Sequence, residues 1–166
     1  LFYWGQLIQA SEGTVTPRGL RPDAYRIQRG KAEETETATF EWAALNLVLG
    51  STNGSRTVYL PPNAQDQLSF LHNMPFITPE AGSYRMIIAS SRKVDTYDYD
   101  VVDEELLETE AGPIKTIHLR KRRGESAEGT DLWLAPEHYL LPVKIQLTDK
   151  SGDTVQQVIS RIEVRP

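Results

Sequence analysis

The sequence predicts a mainly β protein: a large curled antiparallel sheet, a half-barrel meander, with a short helix at 64–74 packed on its concave side. Three observations predict it. Apolar and polar residues alternate with a period of two along most of the chain, the repeat of a strand with one buried face. Turns bearing glycine or proline separate these runs by a few residues, and short connections join antiparallel neighbours. A three-residue apolar spacing occurs once, at Leu68, Leu71 and Met74. The length of 166 residues is read as one domain, 1–166, large enough to bury a core.

In chain order, "LFYWGQLIQA" is a strand expected to end at "SEG". "TVTPRGLRP", punctuated by Pro17, Gly19 and Pro22, is read as the connection after it. "AYRIQR" at 24–29 and "TATFEW" at 37–42 are short strands rich in β-branched and aromatic residues. "LNLVLG" and "SRTVYLPP" follow, with Asn53-Gly54 as a hairpin turn between them. "NAQDQLSFLHNMPFI" breaks the pattern. Asn63 is expected to cap a helix, Asp66 to suit its positive end, and Pro75 to stop it. From Ser83 the chain reads as hairpins: "SYRMIIAS", the long "VDTYDYDVVDEELLETE", "IKTIHLRK", "TDLWLA", "VKIQLTD" and "DTVQQVISRIEV".

Composition narrows the function. A net charge of −5 leaves no dominating basic face for phosphates, so no nucleic-acid partner is expected. No apolar run approaches the roughly 20 residues of a membrane-spanning helix, so no transmembrane segment is expected in this chain. The absence of cysteine removes disulfides, thiolate nucleophiles and thiolate metal sites together. The chain opens at Leu1 inside a strand-like run, as a processed or N-terminally incomplete domain would, with any export signal upstream.

The stretch "TDLWLAPEHYLLPVKIQLTD", 130–149, gathers an indole, an imidazole and two prolines. Leu132 and Leu134 alternate with Asp131 and Trp133, and Val143, Ile145 and Leu147 share a face, the pattern of two half-buried strands. Pro136 and Pro142 remove backbone donors at the ends of the connection, so the stretch reads as a corner. Glu137 adjoins His138 with no regular element to align them for acid–base work. His72, His118 and His138 show no HxH or HExxH spacing, and His118 is expected to face outward with Thr116 and Arg120. The acidic run 95–105 alternates Asp98 and Asp100 with tyrosine and valine, as a strand with one wet face does, and lacks a calcium loop's glycine turn. Cations at 115–123 are expected opposite it, and the basic tip 120–125 is read as a solvated hairpin end, with contact to anionic head groups as the lesser alternative. No catalytic residue, metal ligand set or cofactor is expected.

The aromatic residues offer more. Phe2 with Trp4, Phe40 with Trp42 and Tyr97 with Tyr99 each share a strand face. They either fill a core beneath the helix or leave an apolar groove for a lipid-like chain. The groove reading names Trp4, Phe40, Trp42, Leu68, Leu71 and Met74 as ligand-binding residues.

The order of motifs resembles the bacterial family called domain of unknown function 3108. It is carried by Gly19-Leu20-Arg21-Pro22, Phe40-Glu41-Trp42, Gln65 to Ser69, and Trp133 to Val143, in sequence along nearly the whole chain. The resemblance implies an exported, periplasmic protein of Gram-negative bacteria and the half-barrel fold of the lipoprotein carriers LolA and LolB. It implies no established activity. Two functions follow: a non-enzymatic envelope protein holding a lipid-like ligand or lipidated partner, or an interaction module using its outer face or a sheet edge to bind an envelope protein. An enzyme is the remotest reading.

Overall fold

The computed structural model describes residues 6–30, 35–122 and 128–163, and they are mainly β. Five strands form one antiparallel meander in chain order: β1 (Leu7–Thr16), β2 (Gly19–Arg29), β3 (Thr35–Glu41), β4 (Asn46–Ser51) and β5 (Gly54–Tyr59). A second sheet contains β6 (Gln65–Asp66), β7 (Ser83–Ala89), β8 (Val94–Thr109), β9 (Gly112–Lys121), β10 (Gly129–Ala135), β11 (Leu141–Thr148) and β12 (Thr154–Val158). Its strands also lie side by side in chain order, and β6 runs parallel to β7, so this sheet is mixed. The chain packs as two compact units. Of the described residues, one takes those up to Phe76 with Met86–Tyr97, the other Ile77–Arg85 with those from Asp98 onward.

The first unit is organised by period-two burial. Tyr25 and Ile27, Ala38 and Phe40, and Leu47 and Leu49 are buried alternate residues of β2, β3 and β4. Register places them side by side: Tyr25 opposite Ala38, Ala38 opposite Leu49, Phe40 opposite Leu47. Each large side chain so buried contributes roughly 1.5–3 kcal/mol. Tyr25 is 1 % exposed, and its hydroxyl accepts from Gln9 Nε2 at 2.8 Å and donates to Gln67 Oε1 at 3.1 Å. Burial pushes this phenol up to about 12, so it stays neutral.

One turn chemistry closes three hairpins. At Thr16, Ser51 and Thr109 the hydroxyl accepts from the amide two residues on and donates to the carbonyl of the glycine three residues on. Those glycines, Gly19, Gly54 and Gly112, all have positive φ. The β4–β5 turn therefore centres on Thr52 and Asn53, one residue before the expected Asn53-Gly54.

Two expectations in this unit are corrected. "SEG" and "GLRP" belong to strands, because β1 and β2 pair from Leu7–Arg29 up to Thr16–Gly19 around a bulge that absorbs Asp23. The expected helix 64–74 is reduced to α1 (Ser69–His72), followed by a 3-10 turn at Met74–Phe76 that contains Pro75. Asn63 does not cap it and sits at φ +61°. The fully buried Asp66 instead accepts from the amides of Leu68 and Ser69, both at 2.8 Å, while Ser69 Oγ accepts from the Asp66 amide.

In the second unit β10 is buried on both faces, where one half-buried face was expected. Ile114, Trp133, Ala135 and Val143 cluster with Leu107, Ile159 and Ile162. After β10 a 3-10 turn at Pro136–His138 and two left-handed residues, Tyr139 and Leu140, reverse the chain, and the Leu140 amide donates to Ala135 O at 2.9 Å. His118 is 7 % exposed, contrary to the outward orientation expected for it. The cross-strand neighbours Asp103, His118, Trp133 and Lys144 form a row over β8 to β11, and the indole beside His118 covers it.

Candidate functional site

The groove predicted from the aromatic pairs is distributed differently in the structure. Trp4 lies outside the described residues. Phe40 and Met74 are buried, and Phe40 belongs to the apolar core. Trp42 stacks on Phe40 with ring centres 5.7 Å apart, and Leu68 packs against the same core while remaining half-buried. Leu71 is also half-buried.

Leu68 and Trp42 line two neighbouring depressions that share Leu20 and Arg21 of β2. The Leu68 depression, about 340 Å³, is walled by Val15, Leu20 and Pro22, with Ser11, Thr14, Ser69 and His72 supplying polar groups. The Trp42 depression, about 540 Å³, adds Leu45 and Pro62 but is edged by Arg18, Arg21, Asn63, Gln65 and Asn73. Both volumes lie in the lower range of small-molecule clefts.

Hydrogen bonds fix the divide between them. The Leu20 amide donates to Asn73 Oδ1 at 2.8 Å, and Gln65 Nε2 donates to Leu20 O at 2.7 Å. Trp42 Nε1 donates to Pro22 O at 2.8 Å, and the Arg21 guanidinium lies 5.4 Å from the centre of the Trp42 ring. Gln65 Oε1 is buried without a hydrogen-bond partner, and Gln65 is among the residues that edge the Trp42 depression. The arrangement offers an apolar slot beside a cationic, hydrogen-bonding one.

Val15, Leu20, Arg21 and Pro22 were missed as site residues because their segment reads as a turn in the sequence. The signal was present in Val15 and Leu20, apolar residues on either side of "TPRG" that face each other across the hairpin.

A third depression, about 640 Å³, lies among Arg29, Glu36, Leu49, Arg56 and Arg92. Glu36 accepts from Ser91 Oγ at 2.6 Å and from Arg92 Nη2 at 2.7 Å, and Arg29 stands 3.5 Å away. These partners, the Arg92 hydrogen bond foremost, hold the Glu36 carboxyl down at about 2.

Of the charges expected to pair across the β8–β9 hairpin, Arg122 and Asp100 do so, while Arg120 turns to Asp131 of β10 and Asp98 to Arg85 of β7. The rest of the basic tip, 123–125, lies outside the described residues. His138 is half-buried in its corner, and beside it Glu137 approaches Lys115 at 3.9 Å. No helix among the described residues is long and apolar enough to cross a membrane.

No curated protein and no solved structure matches this chain. Residues 2–159 match a family model described as Protein of unknown function (DUF3108), and the chain belongs to that family.

Proposed function

We propose that this protein is a non-enzymatic, exported envelope protein that holds a lipid-like amphiphile, its apolar chain in the Leu68 depression and its polar end at the Trp42 depression. The observation that carries the reading is the juxtaposition of the two slots across Leu20 and Arg21, one walled by Val15, Pro22 and Leu68, the other by Arg18, Arg21 and Gln65, whose buried Oε1 has no partner. An apolar chain binds through area, at roughly 25 cal/mol per Å² removed from water. The buried acceptor and Arg21 then select a head group that both donates hydrogen bonds and carries negative charge. A kinship with the LolA and LolB carriers, a periplasmic location and a Gram-negative source belong to the same proposal. They rest on the resemblance of the motifs.

The test is mass spectrometry of organic extracts from protein purified out of its native envelope, followed by uptake of a fluorescent acyl-chain probe. Bound amphiphile in the wild type, lost in a folded Leu68→Glu variant, supports the reading. A folded wild type that carries none and takes up no probe refutes it.

A second reading has its own observation. All five residues of β12 are exposed, Val155 and Val158 among them, and β12 pairs only with β11 among the described residues. Such an edge can accept a strand from an envelope protein partner. It predicts a captured partner that is lost with Gln156→Pro while the lipid extract is unchanged.

A further inference from the structure

We propose that Asp103, Glu105 and His118 form a binding site for one divalent transition-metal ion of the zinc class on the face of β8 and β9. Asp103 and Glu105 are alternate residues of β8, and Asp103 stands directly opposite His118 of β9. One ligand atom from each of the three lies within 4.8 Å of the other two. His118 Nδ1 is 3.4 Å from Asp103 Oδ1. That is long for an N–H···O hydrogen bond. Two ligand atoms about 2.1 Å from a tetrahedral ion stand about 3.4 Å apart, so the same spacing suits a shared metal.

The imidazole supplies an independent indication. Its side chain is 8 % exposed, and its buried Nε2 makes no hydrogen bond. Asp131 Oδ2 faces that nitrogen at 3.5 Å. A carboxylate facing the far nitrogen of a histidine attracts the ring proton to that side electrostatically, which favours leaving the near nitrogen free to ligate. Here it leaves Nδ1 for the ion. Trp133 Nε1 donates to Glu105 Oε1 and orients that carboxylate, leaving its second oxygen for coordination. The nearby cations have other partners: Arg120 Nε lies 3.3 Å from Asp131, and Lys144 Nζ lies 4.0 Å from the Trp133 ring centre. Asp103 and Glu105 are exposed, so the remaining coordination position opens to water.

One nitrogen and two carboxylate oxygens suit Zn²⁺ or Co²⁺ better than Ca²⁺, which wants six to eight oxygens. The ligands come from two strands, so no HxH or HExxH spacing marks them in the sequence. This site lies within the second unit and does not depend on the lipid-binding reading.

The test is titration of chelator-stripped full chain with Co²⁺, read by its visible absorption, and with Zn²⁺, read by calorimetry. One ion per chain is expected. Asp103→Asn and Glu105→Gln, both at exposed positions, are each expected to weaken binding tenfold or more at an unchanged melting temperature. His138→Gln should leave it unchanged. Absence of binding up to millimolar metal, or equal affinity in the Asp103→Asn/Glu105→Gln double variant, overturns the proposal.

Discussion

The imidazole of His118 lies against the indole of Trp133 with ring centres 4.3 Å apart and planes 7° from parallel. The Lys144 ammonium, from the next strand, sits 4.0 Å from the centre of the same indole. Stacking and cation–π attraction thus tie β9, β10 and β11 together through one side chain. Lys144→Gln is expected to cost about 1 kcal/mol in urea denaturation. In a Trp133→Phe background the cost should fall, because a phenyl face attracts a cation less strongly than an indole. An equal loss in both backgrounds would show that Lys144 acts through something other than the ring.

Gly13 faces Pro22 across the bulge, and a β-carbon there would stand 2.2 Å from the carbonyl oxygen of Arg21 and 2.7 Å from Pro22 Cα. Both obstacles are backbone, so neither can swing away. Gly13→Ala should cost about 2–3 kcal/mol and spread β1 from β2. The Leu68 depression lies on those two strands, so acyl-probe uptake should fall with stability. Thermal melting and probe binding on the same sample check both.

The β4–β5 and β8–β9 hairpins were legible to within a residue or two because their turns and alternation are local chemistry. "TPRG", "STNG" and "TEAG" each place a hydroxyl residue three before a positive-φ glycine, and each closes a tight turn. The helix was misplaced because its partner is distant. Asp66 is consumed by the amides of Leu68 and Ser69 and by Ser11 Oγ at 2.6 Å, a contact from 55 residues away that no local pattern announces. His118 was misread for a related reason. Alternation correctly put it on one face with Thr116, yet both faces of β9 are covered at His118 and Leu119. Knowing which face is covered requires the cross-strand register, which bulges after Val101 and Trp133 shift by a residue. The depressions were half legible: Leu68 and Trp42 were named, but their walls were hidden in a segment that looked like a loop.

Leu45 closes the β3–β4 turn at φ +53°, a left-handed conformation that strains a branched side chain, and 47 % of it is exposed. Its amide donates to Trp42 O at 3.3 Å, and its carbonyl accepts from the Leu60 amide at 2.8 Å. Leu45→Gly keeps those backbone bonds and relieves the strain, offset in part by the greater freedom of glycine in the unfolded chain. A net gain of about 0.5–1 kcal/mol is expected in urea denaturation. A loss would mean that Leu45's apolar contacts beside Trp42 outweigh the backbone strain.

Glu36 joins Arg92, Ser91 and Arg29 around one carboxylate, and its folded pKa is held near 2 against an ordinary value of 4.5. A depressed carboxyl pKa stabilises the fold wherever the unfolded chain would take up the proton first. The contribution is therefore full above about pH 4.5 and is lost as pH falls through about 2. Arg92 is 72 % exposed, so water screens the pair, and about 1 kcal/mol is the expected size. Denaturation at pH 7, 4 and 3 should show wild type losing more stability than Glu36→Gln as acid is added. Parallel curves would mean that the ion pair also survives in the unfolded chain, or that it forms in neither state.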